Sequence, residues 1–352
     1  MLVYNVEVFD QNFNCVYHDQ VSEIRYVEDY IDKTKNTVSC RLDEVVKEGY
    51  LISIASNKEK YLGIVSSTDL NKAQMEISYY PFYTLFDTQI LFDTTLQGSG
   101  RSLESVIKDY IEEYFVNNTD TVQNVPVIGH INLLSSTTTW GFNLKSDKEG
   151  MNKCIINFYN VILKKAFNKY AIMVDCVPNF SSGKVDINIG VRHEATYTFE
   201  TKLPSVISAS VLVGKLESDV NKLVVYDDSD YTSTRIYYLH PDLSYDMIDT
   251  DRIFPVAEEL ESVSVPQDST FPDVADSAAA DVFGGLGFNN NIELEMLQNE
   301  FSMVKIGQMA NIIHNGITYT SILSKKEYDK TCKLTFGCVR VSLTYLLKKG
   351  AL

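Results

Sequence analysis

The residues of this chain that could do chemistry are first of all its cysteines, and their spacing limits what they could bind. Cys332 and Cys338 lie six residues apart in a segment that alternates like a strand, so about 20 Å separates them. One zinc ion or one disulfide cannot join two groups at that distance. The other cysteines stand at apolar positions: Cys15, Cys40, Cys154 and Cys176. This pattern favours buried thiols in a reducing compartment, without a disulfide.

The histidines are dispersed and form none of the short patterns that bind zinc. They are His18, His130, His193, His240 and His314. We therefore predict no catalytic, cofactor-binding or metal-binding residues, and no cofactor. A metal site assembled from residues that are distant in sequence is the alternative that this pattern leaves open.

A glycine-rich stretch, "GSGRS" at residues 98–102, has the residue types that cradle phosphate. A Walker loop needs a lysine and a further glycine where Thr95 stands, and the dinucleotide fingerprint needs a glycine where Leu103 stands. The stretch therefore predicts the start of a helix. No G-x-S-x-G elbow occurs, whereas a glycosidase pair of carboxylates could be hidden in so acidic a chain.

Acidic residues outnumber basic ones, 47 to 31, and the formal net charge is −16. This balance argues against a protein that reads nucleic-acid sequence and against docking on anionic membranes. Residues 226–281 hold fourteen acidic and two basic residues, which accounts for most of the excess. This segment has two interpretations. It is either a solvated loop region or a negative surface that faces a molecule which it must not bind. We expect no signal peptide and no membrane-spanning segment.

The elements that must position any site are mostly strands, with two helices in the centre. Alternating apolar residues predict strands in the first hundred residues, including a hairpin that turns at residues 57–60. The first helix begins after the cap Ser102 and ends at Asn117, with Glu104 on its polar face. A capping box predicts a second helix over residues 146–170. The apolar face of this second helix comprises Met151, Ile155, Phe158 and Ile162.

The last predicted strand changes its phase at Gly337. Leu334 and Phe336 share one parity before the glycine, and Val339 begins the other parity after it. Such a slip is typical of a β-bulge, because one extra residue moves every later side chain to the opposite face. We expect Gly337 in this bulge, both apolar halves buried, and Thr335 on the polar side. If Gly337 holds a left-handed conformation, a β-branched residue in its place would be strained.

These patterns predict an α+β protein that is mainly β and has four parts. Residues 1–98 form a first, antiparallel β domain, and residues 99–170 form a helical connecting region. Residues 171–225 and 292–352 form a second β-barrel domain, and residues 226–291 form an acidic insert between its two halves.

Six stretches spread over nearly the whole chain carry a family pattern. They are "YLGIVSS", "ISYYPFYTLFDTQILFD", "SSTTTWGFNLKSDKEGMNKCIINFYNVILKKAF", "NKLVVYDDSD", "TRIYYLHPD" and "GITYTSILSKKEYDKTCKLTFGCVRVSLT". In this order they resemble the baseplate hub proteins of bacteriophages with long non-contractile tails. Such hubs are also called tail-associated lysin (Tal) or prophage tail endopeptidase proteins.

The resemblance implies that residues 1–98 and residues 171–225 with 292–352 are two β-barrel domains akin to tail-tube subunits, and that three copies form a ring at the tail tip. Such a ring closes the tail tube and leaves a channel through which DNA passes without specific binding. The implied partners are the distal tail protein ring, the tape-measure protein and a receptor-binding protein or tail fibre. The implied location is the tail tip of the virion, after synthesis in the cytoplasm of the bacterial host.

Many relatives continue into a C-terminal peptidase, lysozyme or fibre region, whereas this chain ends at Leu352. We therefore expect a structural protein and not an enzyme. Two alternatives stay open. One is a tail-associated enzyme, a peptidase or glycosidase, that degrades the cell wall. The other is a host-binding module, which tyrosine-rich loops would serve.

Overall fold

The computed structural model describes most of the chain. The described residues are 3–22, 24–43, 45–56, 60–70, 74–97, 99–136, 138, 144, 146, 151–192, 196–213, 221–240, 245–249, 258–265, 270–283, 288, 290–297, 304–328 and 331–338. Strands hold 51% of these residues and helices 18%, so the protein is α+β and mainly β, as predicted. Two half-barrel sheets dominate the fold.

Twenty-two strands are present in the described residues. The first eleven are β1 (Tyr4–Phe9), β2 (Cys15–Val21), β3 (Tyr26–Asp29), β4 (Asn36–Arg41), β5 (Leu51–Ala55), β6 (Lys60–Leu70), β7 (Gln74–Pro81), β8 (Gln89–Asp93), β9 (Ile128–Leu133), β10 (Lys153–Asn157) and β11 (Met173–Asn179). The others are β12 (Lys184–Gly190), β13 (Tyr197–Glu200), β14 (Val206–Val213), β15 (Lys222–Asp227), β16 (Thr234–Leu239), β17 (Tyr245–Asp246), β18 (Glu258–Val263), β19 (Asn290–Leu297), β20 (Met309–His314), β21 (Ile317–Tyr328) and β22 (Thr331–Phe336).

Three α-helices accompany the strands: α1 (Leu103–Ile111), α2 (Lys164–Tyr170) and α3 (Phe271–Phe283). Two π-helical turns adjoin them, at Glu112–Val116 and Phe158–Leu163. Short 3-10 turns lie at Phe82–Phe86, Thr94–Leu96 and Thr121–Gln123.

The first sheet has the order β2-β1-β5-β6-β7-β4, and all its neighbours are antiparallel. Its strands alternate as predicted: in β4, the side chains of Asn36, Val38 and Cys40 are buried while those between them are exposed. The predicted hairpin is confirmed, because β5 and β6 pair up to Ala55 and Lys60. Residues 57–59 of its turn lie outside the described residues.

The second sheet has the order β13-β20-β21-β22-β19-β14, and β3 joins it beside β21. This link is a crossover, because β3 lies in sequence between strands of the first sheet. The Asn36 amide fixes β3 from the side of the first sheet: its Oδ1 accepts from Val27 N at 2.7 Å and its Nδ2 donates to Val27 O at 2.8 Å. On the other side, Lys326 of β21 pairs with Glu28 of β3. One short strand thus joins the two half-barrels.

Tyr30, directly after β3, is fully buried at the centre of this joint. Its ring lies 4.6 Å from that of Phe167 and 5.1 Å from that of Tyr83. Val174 N donates to its hydroxyl oxygen at 3.0 Å, and Tyr159 Oη donates to its carbonyl oxygen. The joint therefore combines aromatic packing with satisfied polar groups, as a buried tyrosine requires.

The first helix begins and ends as predicted. Ser102 Oγ accepts from Ser105 N at 3.2 Å, and Asn117 follows the last π-helical turn. The expected exposure of Glu104 is wrong, because this side chain is 0% exposed. Its carboxylate accepts hydrogen bonds from the hydroxyls of Ser135 and Thr138, each at 2.7 Å. A loop distant in sequence covers the first turn, which helical periodicity alone cannot reveal.

The prediction of a single helix over residues 146–170 is wrong in its first half. Residues 153–157 form strand β10, and the helical part begins at Phe158 behind the cap Asn157, whose Oδ1 accepts from Asn160 N at 2.9 Å. Ile155 pairs with Leu91 of β8 and is 62% exposed. Ser146 lies in no helix, and the rest of the predicted capping box, residues 147–149, lies outside the described residues.

Phe158 and Ile162 are buried as predicted, whereas Met151 is exposed. The error has a physical cause. The apolar run 154–156 fits a strand as well as a helix, and pairing with β8 decides between them.

Strand β22 ends at Phe336, and Gly337 has φ +88°, so this glycine holds a left-handed conformation. Strand β22 keeps its register with β19 as far as Phe336, and a register shift that was not predicted lies at Ser324 of β21. The bulge at Gly337 stays a prediction, because it depends on strand pairing beyond Cys338, outside the described residues. Thr335 lies on the polar side, as predicted, although only 6% of it is exposed, and its carbonyl oxygen accepts from Ser324 Oγ at 3.1 Å. The second apolar half, from Val339 onward, lies outside the described residues.

The described parts of the acidic segment are largely strands and a helix, so for these parts the interpretation as a solvated loop region is wrong. Strands β15 to β18 form a sheet in the order β17-β16-β15-β18, and α3 packs on one of its faces. We call β15 to β18 with α3 the acidic unit. The other described residues are called the body. The buried apolar residues of the acidic unit form a core separate from that of the body: Leu223, Val225, Tyr237, Leu239, Val263, Ala275, Ala278, Ala279 and Phe283. Its acids lie around a small core of this kind.

Candidate functional site

The second sheet carries charged side chains on the face that points away from its core. Strand β19 shows how the sequence builds this face: Leu294 and Met296 are buried in the core, while Glu293 and Glu295 point to the opposite side. Lys333 of β22 follows the same alternation. We call the polar face the set Ser208, Ser210, Glu293, Glu295, Lys325, Glu327, Lys333 and Thr335, which line a shallow groove of about 280 Å³.

Charges alternate across the strands of the polar face. Lys333 stands directly between Glu295 of β19 and Glu327 of β21 in the strand register. Thr335 stands in the same way between Glu293 and Lys325. Opposite charges at directly opposed positions stabilise a sheet, so these rows are compatible with a well-formed sheet as well as with a surface function.

Hydrogen bonds hold the carboxylates of the polar face in place. Glu295 accepts from Thr331 Oγ1 at 2.8 Å and from Ser208 Oγ at 3.2 Å. Glu327 accepts from Arg25 Nη2 at 2.9 Å. With three glutamates and two lysines, the face has no excess of positive charge. It therefore offers no clamp for phosphate, which needs lysine or arginine in excess.

The structure brings none of the described histidines together. His314 Nδ1 lies 3.0 Å from Thr201 Oγ1, His240 Nε2 lies 3.0 Å from Asp246, and His130 Nδ1 lies 3.4 Å from Asp186. His193 lies outside the described residues. Within the described part of the chain, no group of three or more His, Cys, Asp or Glu side chains could hold a metal ion.

The cysteines mostly occupy buried positions, as their sequence pattern predicts. Cys40, Cys154, Cys332 and Cys338 are buried, whereas Cys15 is exposed. Burial raises the pKa of the Cys40 thiol to about 12, so this group stays protonated and is a weak nucleophile.

The glycine-rich stretch ahead of α1 starts a helix, as predicted, and its described residues 99–102 end in the cap Ser102. Arg101 in this stretch pairs with Asp109 of the same helix at 2.6 Å. The described part of the stretch therefore stabilises α1.

No protein-family model and no curated protein sequence matches the chain. Solved structures match it over almost its full length. A tail protein from Neisseria meningitidis MC58 has a TM-score of 0.58 at 10% identity, over 95% of this chain and 96% of that one. The 43 kDa tail protein of prophage MuSo2 from Shewanella oneidensis has a TM-score of 0.56 at 9% identity, over 96% and 98%. A chain of the phage P2 baseplate in its activated conformation with Ca has a TM-score of 0.50 at 14% identity, over 96% and 98%.

The chain has the fold of phage tail proteins. This likeness extends to both half-barrels and the acidic unit, because it covers at least 95% of the chain in each comparison. In the described residues, no helix is long and apolar enough to cross a membrane.

The sequence analysis did not predict the polar face, although the alternation of charged and apolar residues in its strands is visible in the sequence. Glu293, Leu294, Glu295 and Met296 alternate in the printed sequence, and so do Lys333 and Leu334. What the sequence does not contain is the register that places Lys333 between two glutamates. That register depends on strand pairing between segments with no shared motif.

Proposed function

We propose that this protein is a structural hub of a bacteriophage or prophage tail tip. In this proposal three copies form a ring that closes the tail tube and connects it to the receptor-binding parts. The observation that carries the proposal is the likeness of fold to phage tail proteins over nearly the whole chain, with two half-barrel sheets side by side. Three such chains supply six half-barrels, which suits a junction between six-fold and three-fold parts of a tail.

In this proposal the two half-barrels correspond to two tail-tube-like domains. Residues 1–98 form the first domain, and residues 171–225 with 292–352 form the second. Residues 99–170 connect them, and residues 226–291 are an insert in the second domain. The β3–β21 pairing supports a rigid connection between the two domains, because it ties one half-barrel to the other through the main chain.

The polar face of the second sheet is the candidate lining of the channel. Its three glutamates outnumber its two lysines, and the chain as a whole is acidic. DNA that passes such a wall meets no cluster of lysine and arginine side chains that could bind its phosphates, so it is not retained. The proposed partners are the distal tail protein ring, the tape-measure protein and a receptor-binding protein or fibre. The proposed location is the tail tip of the virion, and the proposed role is non-enzymatic.

The oligomeric state is the direct test of this proposal. We expect light scattering behind a size-exclusion column to show a trimer, with a population that rises with protein concentration. We expect electron micrographs of the peak fraction to show rings with a central opening bordered by the polar face. A monomer at every concentration, without rings, would contradict the hub proposal.

Activity on the cell wall tests the non-enzymatic role. The measurement is the release of soluble fragments from purified cell wall by the isolated protein. We expect no release above that of a heat-denatured sample. Release that persists in repeated preparations would favour the alternative of a tail-associated peptidase or glycosidase.

A further inference from the structure

A cleft of about 470 Å³ lies at the junction of three elements: β6 of the first sheet, β11, and the β21 region of the second sheet. Its charged lining consists of Glu28, Lys60, Asp175, Arg192, Lys305 and Lys326, and we call this set with its cavity the cationic cleft. Four bases thus face two acids, in a chain whose formal net charge is −16. The sign of the cleft is therefore opposite to that of the molecule.

The deepest base of the cationic cleft is fixed in place. Lys326 is 2% exposed, and its Nζ donates to Val304 O at 2.8 Å and lies 5.0 Å from the centre of the Tyr328 ring. A buried ammonium is costly unless polar groups surround it. Because the strand register holds Lys326 opposite Glu28, this charge has a defined position at the base of the cleft.

The guanidinium of Arg192 is fixed on the opposite wall. Its Nη2 donates to Asp175 Oδ2 at 2.6 Å, and its Nε lies 3.3 Å from Met173 Sδ. Gly307, at φ +83°, permits this packing, because a Cβ at that position would overlap Met173 Sδ. The residues of this wall are therefore closely packed around the side chain of Arg192.

Apolar side chains lie between the charged groups of the cleft. They are those of Leu62, Pro81, Phe82, Met173, Val177 and Ile306. At the outer end, Lys60 lies 3.5 Å over the Phe180 ring, and burial lowers the pKa of its ammonium. A cleft of this size, with apolar walls and a few fixed polar groups, has the general character of a small-ligand site.

We propose that the cationic cleft binds an oxyanion carried on a small apolar body, such as a carboxylate or a phosphate monoester. The excess of two positive charges attracts the oxyanion, and concave low-dielectric walls strengthen that attraction. The apolar walls receive the body of the ligand, because burial of each methylene adds favourable free energy. This site is independent of ring formation, so its test does not depend on the hub proposal.

Four probes test the cleft with the full chain at low salt: hexanoate, acetate, hexyl phosphate and hexylammonium. We expect hexanoate to bind with a dissociation constant of about 1 mM, the range for a fragment of this size. Acetate should bind at least tenfold more weakly, because it leaves the apolar walls uncovered. Hexyl phosphate distinguishes the two sources of the oxyanion: the tighter of hexanoate and hexyl phosphate identifies the headgroup that the cleft prefers.

Two exposed bases of the cleft can be neutralised without disturbing its buried parts. We expect the double variant Lys60→Gln/Lys305→Gln to weaken hexanoate binding at least tenfold in titration calorimetry. The matched control, Lys202→Gln, removes an exposed lysine outside the cleft lining and should leave binding unchanged. The thermal midpoint of each variant shows that it is folded.

Three outcomes would overturn the proposal. The first is the absence of binding by both hexanoate and hexyl phosphate. The second is equal binding of hexylammonium, which would mean that the charge of the cleft has no role. The third is an equal loss of affinity in Lys202→Gln and in the double variant, which would assign the effect to overall charge.

Discussion

The body of the molecule and the acidic unit differ in the sequence separation of the contacts that hold them together. The body holds its two half-barrels together by contacts between residues that are far apart in sequence, such as Arg25 and Glu327, 302 positions apart. The acidic unit pairs strands that all lie between residues 222 and 263, and it adds one helix from residues 271–283. The body is therefore defined by distant contacts and the unit by nearer ones.

The negative charge of the chain is also distributed unevenly between the two regions. The acidic segment carries most of the negative excess of the chain on a small fold with nine buried residues in its core. The body is close to neutral in comparison, and its polar face balances glutamate against lysine. Separate cores and separate charge predict that each region can lose its structure without the other. Five experiments test the stability of the two regions.

The largest effect is expected at the joint of the two half-barrels. Tyr30→Ala removes a fully buried ring and should lower the free energy of unfolding of the body by about 3–5 kcal/mol. The measurement is denaturant unfolding followed by circular dichroism. The control is Tyr231→Ala in the acidic unit, which is 74% exposed and should change stability by about 0.5 kcal/mol or less. Equal effects of the two variants would contradict the role of the joint.

A core variant of the acidic unit should act on that unit alone. Leu223→Ala leaves a cavity in a small core and should cost about 2–5 kcal/mol. We expect hydrogen exchange to speed up in β15, β16 and α3 while β5 and β22 keep their protection. Loss of protection in all five elements at once would show that the body and the unit form one cooperative fold, and the comparison would fail.

Two glycines of the second sheet have nearly the same backbone angle: Gly337 directly follows β22, and Gly316 lies in the turn between β20 and β21. Gly337→Ala and Gly316→Ala both place a side chain at positive φ, at +88° and +83°, which costs about 1–2 kcal/mol. At Gly337 the new Cβ would also overlap the backbone of Asn290, which adds about 1–3 kcal/mol, whereas nothing lies within 4 Å at Gly316. The difference between their denaturant midpoints measures the close approach of β19. If the two midpoints shift equally, the close packing at Gly337 is not real.

The β8–β10 ribbon should tolerate change on its outer side. Ile155→Asp should alter stability by about 0.5 kcal/mol or less, because Ile155 is exposed beside Leu91. Ile162→Ala, in the buried helical part, should cost about 2–5 kcal/mol. Thermal midpoints of the two variants decide the matter. If Ile155→Asp lowers stability more than Ile162→Ala does, residues 153–157 belong to the helix that the sequence pattern predicts.

The smallest effect concerns acid stability of the body. A hydrogen bond from Asn179 Nδ2, at 2.8 Å, is the main cause that lowers the pKa of Asp186. A carboxyl with a lowered folded pKa contributes stability above its unfolded pKa of about 3.9, and this contribution is lost as pH falls through the folded value. Asp186→Asn should therefore flatten the decline of the denaturant midpoint below about pH 4. An unchanged decline would mean that other carboxyls account for it.

The sequence predicts those elements whose own pattern is unambiguous. The first helix is correct because its apolar period is unbroken from Leu103 to Phe115. The second helix is half wrong because Cys154, Ile155 and Ile156 suit two structures, and β8, more than sixty residues earlier, decides between them. Composition misleads in the acidic segment, since a small core needs few apolar residues and leaves room for many acids.

The candidate site is harder to predict from the sequence than the fold is. The polar face depends on a register among β19, β21 and β22, and the cationic cleft depends on three elements that meet in space. Lys326 gives no sign of its burial in the sequence, because neighbours such as Lys325 and Glu327 suggest a solvated strand. Tertiary contacts decide its environment, and no local pattern contains them.

The β3–β21 pairing also sets an order of events during synthesis. At 5–20 residues per second, the ribosome needs about 15–60 s to add the 302 residues between Arg25 and Glu327. During that time β3 has no strand to pair with in the second sheet, and an open strand edge invites association with other chains. The acidic unit is complete before β21 emerges. We therefore expect it to fold first and, through its negative charge, to keep nascent chains apart until the last strands arrive.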